Sequence, residues 1–282
     1  MRLLVVGAQG MLGRDLVEIL SPSYEVMAWD LPDLDITRAE EAQEKIAHLL
    51  PRGIINCAAY TDVDGCESQA GLAFAVNSEG VRNLALAALA VQARLIHLST
   101  DYVFDGASQR PYKTDDPPSP LNIYGRSKHQ GEILLRDSGV DHLIVRTAWL
   151  YGPRGKNFVE AILRQAEAGK ELRVVDDQQG SPTFTRDLCS AIRDLLEGGA
   201  EGVFHVTNSG SCTWYEFALE ILKQKGMSAI KVHPISAEEL GKPAKRPAFS
   251  LLDCSRYEKV SGKIMRPWKE GLRDYFLFRG KC

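Results

Sequence analysis

Residues 1–20 read MRLLVVGAQGMLGRDLVEIL. An unbroken apolar run from Leu3 to Val6 stops at Gly7, and glycine returns at Gly10 and Gly13 as a helical pattern begins. Continuous rather than alternating hydrophobicity predicts a strand buried on both faces, as in a parallel sheet. The spacing G-x-x-G-x-x-G then meets three steric demands. The chain must turn sharply out of the strand, its backbone must approach a pyrophosphate, and the helix must pack closely on the strand; a Cβ obstructs each. Free N–H groups at the start of the helix face the phosphates. The stretch predicts a dinucleotide-binding turn.

Working outward, YEVMAW, GIINCAA, ARLIHLS and HLIVRTA repeat the buried-strand signal. Between them TRAEEAQEKIAHLL, FAVNSEGVRNLALAALAVQ and the segment around YGRSKHQGEILLRDS carry helical periodicity. This alternation predicts a doubly wound α/β fold with a parallel sheet of the Rossmann type. After Tyr151 the rhythm loosens. KNFVEAILRQAEAG, RDLCSAIRDLLEG and TWYEFALEILKQKG predict helices, with VVDDQQGSPTF and VFHVTNSG between them, and the proline-rich KPAKRPAFSLLD predicts an ordered loop. The expected organisation is a dinucleotide-binding domain over 1–150 and a mainly substrate-binding region over 151–282. The second region is expected over the open edge of the sheet, with some segments returning to the first.

Composition narrows the function. A chain of 282 residues, 44% hydrophobic and 25% charged, can bury a large core. Its net charge of −3 gives no electrostatic basis for a nucleic-acid partner. The longest apolar run, LALAALAV, is too short to cross a membrane, and the opening lacks the pattern of a signal peptide, so a cytoplasmic protein is expected. The six cysteines include no C-x-x-C pair and are expected to be reduced thiols, Cys282 among them. The six histidines have no ligand spacing, and no transition-metal site is expected.

Asp30 closes the second strand, where a carboxylate accepts hydrogen bonds from the ribose hydroxyls of an adenosine. Its charge opposes a 2′-phosphate and leans toward NADH, while nearby Arg14 offsets the lean toward NADPH. Either cofactor is compatible.

The segment NIYGRSKHQGE, residues 122–132, places Tyr124 and Lys128 four apart, on one face of a helix. A free phenol titrates near pH ~10. An adjacent ammonium stabilises the phenolate and brings that value toward neutral acid–base work. Thr100, in STDYVFDG at the end of the fourth strand, supplies a hydroxyl that can orient a substrate carbonyl toward Tyr124.

On these residues the chain resembles the extended short-chain dehydrogenase/reductases, and within them the family of dTDP-4-dehydrorhamnose reductases. The likeness runs nearly end to end, through GAQGMLGRDL, DLPDLDIT, INCAAYTDVDGCE, AVNSEGVRNLA, LSTDYVFDG, YGRSK, VRTAWLYGPRGKNFV, DDQQGSPTFTRDL and RPAFSLLD. It implies that Thr100, Tyr124 and Lys128 are catalytic, with Lys128 also holding the nicotinamide ribose. It places Gly10, Met11 and Leu12 at the pyrophosphate, Asp30 at the ribose, Asp35 and Ile36 at the adenine, and Ala59, Tyr60 and Thr61 along the path to the nicotinamide. Thr100 and Asp101 would meet the sugar, Trp149 would pack on it, and Arg246 would pair with the diphosphate. The implied reaction is reduction of a dTDP-linked 4-keto-6-deoxysugar at C4, and a homodimer is compatible with the resemblance. Some members are said to dimerise through magnesium. Asp15 stands at the early acidic position, but TFTRDL offers no matching acidic pair, and no metal is expected.

Three other activities share the fold. A dehydratase needs a glutamate where this chain has Tyr102. A nucleotide-sugar epimerase that retains NAD uses the same Tyr–Lys pair. The regulatory subunit of methionine adenosyltransferase shares the fold and acts by association. A 4-ketosugar reductase of other C4 stereochemistry also fits the residues.

Overall fold

The computed structural model describes residues 1–279. Its first part runs β1 (Arg2–Val6), α1 (Met11–Leu20), β2 (Glu25–Trp29), α2 (Ala39–Leu49), β3 (Gly53–Asn56), α3 (Val63–Ser68), α4 (Ala70–Phe74), α5 (Gly80–Ala90), β4 (Arg94–Thr100), α6 (Ile123–Asp137) and β5 (His142–Thr147). Then follow β6 (Leu150–Tyr151), α7 (Phe158–Glu167), β7 (Leu172–Val175), β8 (Gln179–Gly180), β9 (Thr183–Phe184), α8 (Thr185–Glu197) and β10 (Gly202–His205). The last elements are β11 (Cys212–Thr213), α9 (Trp214–Gln224), β12 (Val232–Ile235), α10 (Ala237–Leu240), α11 (Ser255–Ser261) and α12 (Trp268–Arg279).

All five expected strands form, and they lie parallel in one sheet of order β2-β1-β3-β4-β5-β10. Successive side chains on a strand point to opposite faces, so each apolar run supplies two cores. Leu3, Val5, Ile55, Ile96 and Val145 meet Leu16 of α1 and Leu188 and Ile192 of α8 on one face. Leu4, Val6, Ile54, Leu95 and Ile144 meet Ile46 of α2 and Val81 and Leu84 of α5 on the other. A third core, around Tyr151, Leu163, Phe184, Phe217 and Trp268, belongs to the smaller unit built by α7, α9 and α12.

Two expectations need correction. VFHVTNSG is not merely a spacer, because Gly202–His205 pairs in parallel with β5 as the sixth strand. The sheet edge beside β5 is therefore closed by β10 rather than left open for the smaller unit. Segments beyond Tyr151 return to the sheet's layers: α8 packs on α1, and α11 packs on α8 and β10.

From β1 the chain steps to β2 on one side, then crosses back to β3 on the other. The carboxyl ends of β1 and β3 flank a topological switch point, the place where open α/β sheets receive ligands. The glycine turn leaves β1 there, and Thr100 ends β4 beside it.

Candidate active site

Gly7 adopts φ +74°, a conformation that penalises side chains, and a Cβ on it would lie 2.5 Å from Ala58 N in the segment after β3. A Cβ on Gly13 would lie 2.2 Å from the Gly7 carbonyl oxygen. These two glycines let strand, turn and helix close on one another. Gly10 has a different part: it is the exposed N-cap residue of α1 and makes no side-chain cap. The first N–H groups of a helix lack intrahelical acceptors, so Met11 and Leu12 offer backbone donors at this mouth. The Leu12 side chain is buried in the core. Asp30 reaches the same turn, accepting from Gln9 N at 2.8 Å and Leu31 N at 2.9 Å. Free donors at a helix mouth with a carboxylate at the next strand end fit a dinucleotide. Replacing Gly13 by alanine forces backbone apart and is expected to destabilise the cofactor-free protein by about 1–3 kcal/mol. Urea unfolding checks this, and an unchanged midpoint would contradict the packing role.

Asp35 is engaged locally: its Oδ1 accepts from Thr37 N at 3.0 Å and Thr37 Oγ1 at 2.7 Å. Ile36 is buried against Gly80 of α5. Ala59, Tyr60 and Thr61 follow β3, and Asn77 fixes this segment. Asn77 Oδ1 accepts from Tyr60 N at 2.8 Å, while its Nδ2 donates to Tyr60 O and to Ser127 Oγ, each at 3.0 Å. Asn77 lies in a π-helical turn, Ala75–Glu79, joining α4 to α5, a distortion that recurs at functional sites. It ties the segment after β3 to the helix bearing Tyr124.

Asn122 caps α6, its Oδ1 accepting from Gly125 N at 2.8 Å, and so sets Tyr124 in the first turn. The Thr100 hydroxyl, at the end of β4, lies close enough to the phenol to act on its acidity. Thr100 Oγ1 donates to Asp101 Oδ1 at 3.0 Å and accepts from Tyr102 N at 3.2 Å. Asp101 is buried, and burial lifts its carboxyl to about 6 despite the nearby Ser250 and Thr100 hydroxyls. The Tyr102 ring stands edge-on to Tyr124 at 5.5 Å.

Lys128 is 2% exposed and turned inward, donating to the Leu98 carbonyl at 2.6 Å, with His97 Nε2 at 3.2 Å. Burial lowers its ammonium to about 8, against the opposing pull of Glu132. Here the expected electrostatics need correction. Burial raises the Tyr124 phenol above its ordinary value, the Thr100 hydroxyl opposes this, and Asp101 adds to it. Lys128 Nζ is instead engaged by the strand beneath, at Leu98 O and His97.

The remaining expected residues are more scattered. Trp149, at φ +48°, stacks on Trp214 with centroids 3.5 Å apart and planes 5° from parallel, and Gly180 abuts its indole. One of its faces is therefore already covered by protein. Arg246 pairs with Asp64 at 3.0 Å and lies near Tyr102, whose ring stands beside Tyr124. Asp15 is fully buried between α1 and α8, bonded by Thr185 Oγ1 and flanked by Arg154 and Arg186 at 3.7 and 3.8 Å. Among the described residues no group of three or more acidic, histidine or cysteine side chains is arranged to hold a metal.

Sequence reasoning overlooked His97, Asn56, Asn77 and the Glu132–Arg146 pair. A signal was present for the first two: a polar residue inside an apolar parallel strand must find a buried partner.

A dinucleotide turn at the switch point, with tyrosine and lysine rising from the helix after β4, defines the extended short-chain dehydrogenase/reductase class. Within that class the chain belongs to the family described as RmlD substrate binding domain, whose model matches residues 1–277. It is 42% identical to the spore coat polysaccharide biosynthesis protein SpsK of Bacillus subtilis, over 100% of this chain and 99% of that one. It is also 42% identical to a dTDP-4-dehydrorhamnose reductase of Streptomyces griseus, over 98% of this chain and 93% of the other. The crystal structure of dTDP-4-dehydrorhamnose reductase from Bacillus anthracis in complex with NADP superposes with a TM-score of 0.95 at 40% identity, covering 98% and 99% of the two chains.

Proposed function

We propose that this protein reduces the C4 ketone of dTDP-4-dehydrorhamnose with NADPH or NADH, giving dTDP-L-rhamnose and the oxidised cofactor with uptake of one proton. The observation that carries the reading is the buried set of Tyr124 and Lys128, one helical turn apart on α6, with Thr100 at the end of β4, in a chain 42% identical over nearly its full length to a reductase of that name.

When bound, the reduced nicotinamide supplies the hydride. Thr100 orients the ketone oxygen, and Tyr124 donates its phenolic proton to that oxygen as negative charge develops on it. Burial keeps the phenol protonated at neutral pH, so the acid form is the form present. An alkoxide is far more basic than a phenolate, so the transfer runs downhill even from a weakened acid. Lys128 holds the ribose hydroxyls near the reacting carbon. The glycine turn of Gly7, Gly10 and Gly13, with Met11 and Leu12, takes the pyrophosphate, Asp30 the ribose, and Asp35 and Ile36 the adenine. Asp101 and Trp149 are assigned to the sugar and Arg246 to the diphosphate, where a phosphate oxygen would replace its Asp64 partner.

Mixing the protein, NADPH and dTDP-4-dehydrorhamnose is expected to oxidise the cofactor in step with formation of dTDP-L-rhamnose, read by absorbance and NMR. Absence of oxidation would point to a regulatory subunit. An epimerised sugar with no net cofactor consumption would point to an epimerase. A cytoplasmic location and a homodimer belong to the same reading, the latter checked by light scattering.

A further inference from the structure

Beneath Lys128 runs a chain of buried polar groups for which the chemistry above has no use. His97, within β4, and Asn56, at the end of β3, are completely buried. His97 Nε2 lies 3.2 Å from Lys128 Nζ, and His97 Nδ1 lies 3.2 Å from Asn56 Nδ2. Asn56 Oδ1 accepts from Ala58 N at 3.0 Å.

Following donors along this chain places its protons. A backbone N–H can only donate, so Ala58 holds the Asn56 carbonyl toward itself and turns the amide NH₂ to the ring. His97 Nδ1 must then accept, which leaves the ring proton on Nε2. The imidazole is neutral, held well below its ordinary range chiefly by burial. Its Nε2–H points at Lys128 Nζ, and only an uncharged amine has a lone pair to receive it. Such an amine keeps two N–H groups, one of which donates to Leu98 O.

We propose that His97 is a positioning residue which, locked as the Nε2–H tautomer by Asn56, favours the neutral amine of Lys128, so that dinucleotide binding takes up a proton at Lys128. This rests on the reading that Lys128 faces the bound cofactor. Charging Lys128 removes its lone pair, so Nζ must leave the ring or the Asn56 amide must turn over and release Ala58. The Ala58 backbone packs against Gly7, so the lysine's charge is coupled to the wall of the glycine turn.

The other ionisable groups around Lys128 do not reverse this preference. Glu132, one turn along α6, favours the charged form, but burial outweighs it and brings Lys128 to about 8, so the neutral amine is the major form above that pH. Burial pushes the Cys57 thiol up to about 12, so it stays neutral, and Tyr124 one turn back stays protonated.

Two measurements on the unmodified protein test the proposal. Nitrogen NMR of ¹⁵N-histidine-labelled, cofactor-free protein at a pH above 8, where the lysine is mostly neutral, is expected to show His97 protonated at Nε2 alone. Calorimetry of NADPH binding at a pH just above 8, in buffers of different ionisation enthalpy, is expected to show uptake of more than half a proton per site. Asn56→Asp gives Nδ1 an acceptor, so the ring proton is expected to move to Nδ1 and the uptake to fall at least about twofold. A wild-type Nδ1–H tautomer, or NADPH binding whose enthalpy is independent of buffer, would overturn the proposal. Should Asn56→Asp not fold, the two wild-type readings decide alone. Absence of any NADPH binding would overturn the dinucleotide reading and this proposal together.

Discussion

Tyr124→Phe is expected to lower kcat for reduction of dTDP-4-dehydrorhamnose by about 10²–10⁴-fold, the loss that follows removal of a positioned general acid. In barrier terms this is about 3–5 kcal/mol. The substitution removes one oxygen and leaves the ring that stands edge-on to Tyr102. Packing of α6 on the segment after β3 depends on Asn77 and Ser127, which the change does not touch. The effect should therefore fall on kcat, with NADPH affinity within a few-fold of wild type. Initial rates at saturating NADPH, with Kd from fluorescence titration, separate the two. A variant turning over at near wild-type rate would remove Tyr124 from the chemistry, and Thr100 would have to be tested as the proton source in its place.

The second large effect concerns stability. Glu132 of α6 is completely buried, and its Oε1 and Oε2 accept from Arg146 Nε at 2.9 Å and Nη2 at 2.6 Å. Ser99, the residue before Thr100, donates to the same carboxylate at 2.5 Å. The cluster fastens the end of β4 to α6 and β5, and so fixes Thr100 relative to Tyr124. Arg146→Met leaves a carboxylate in the interior without its cation and is expected to cost about 3–5 kcal/mol at neutral pH.

The pH dependence of that loss identifies its cause. Burial pushes the Glu132 carboxyl up, but the Arg146 guanidinium, aided by His129 and Ser99, outweighs it and holds the group well below the usual range. A depressed carboxylate contributes stability above its unfolded pKa, and that stability is lost as pH falls through the folded value. Without Arg146 the burial effect stands unopposed and the sign reverses. The variant's carboxyl is then raised, so the variant regains stability as pH falls from neutral toward the unfolded pKa near ~4.3. Urea unfolding at about pH 7 and about pH 5 should show the gap between the proteins narrowing on acidification. A gap equal at both values, or below about 1 kcal/mol, would show that the pair is not what holds this corner together.

Much of the active region was legible because its signals are local. The glycine spacing after β1, the carboxylate ending β2 and the four-residue step from Tyr124 to Lys128 each rest on geometry within one or two turns of chain. The five unbroken apolar runs likewise declare buried parallel strands, since each residue must find a core on one face or the other. The misplacement of β10 has the opposite cause. Four residues reading GVFH carry neither a long apolar run nor a clean alternation, and they become a strand only because β5 presents an unpaired edge.

The sequence by itself determined the alternation of the first five strands with their helices, the turn that fits a dinucleotide, and which residue types stand at the ends of those strands. Only the tertiary structure decided that Lys128 is drawn inward to His97 and Leu98, that Trp149 spends one face on Trp214, and that Arg146 finds Glu132. The division follows from the range of the interactions. Turns and periodicity are set by neighbours along the chain, whereas the partner of a buried charge or ring is whichever group the packing brings alongside, and no spacing in the sequence encodes it.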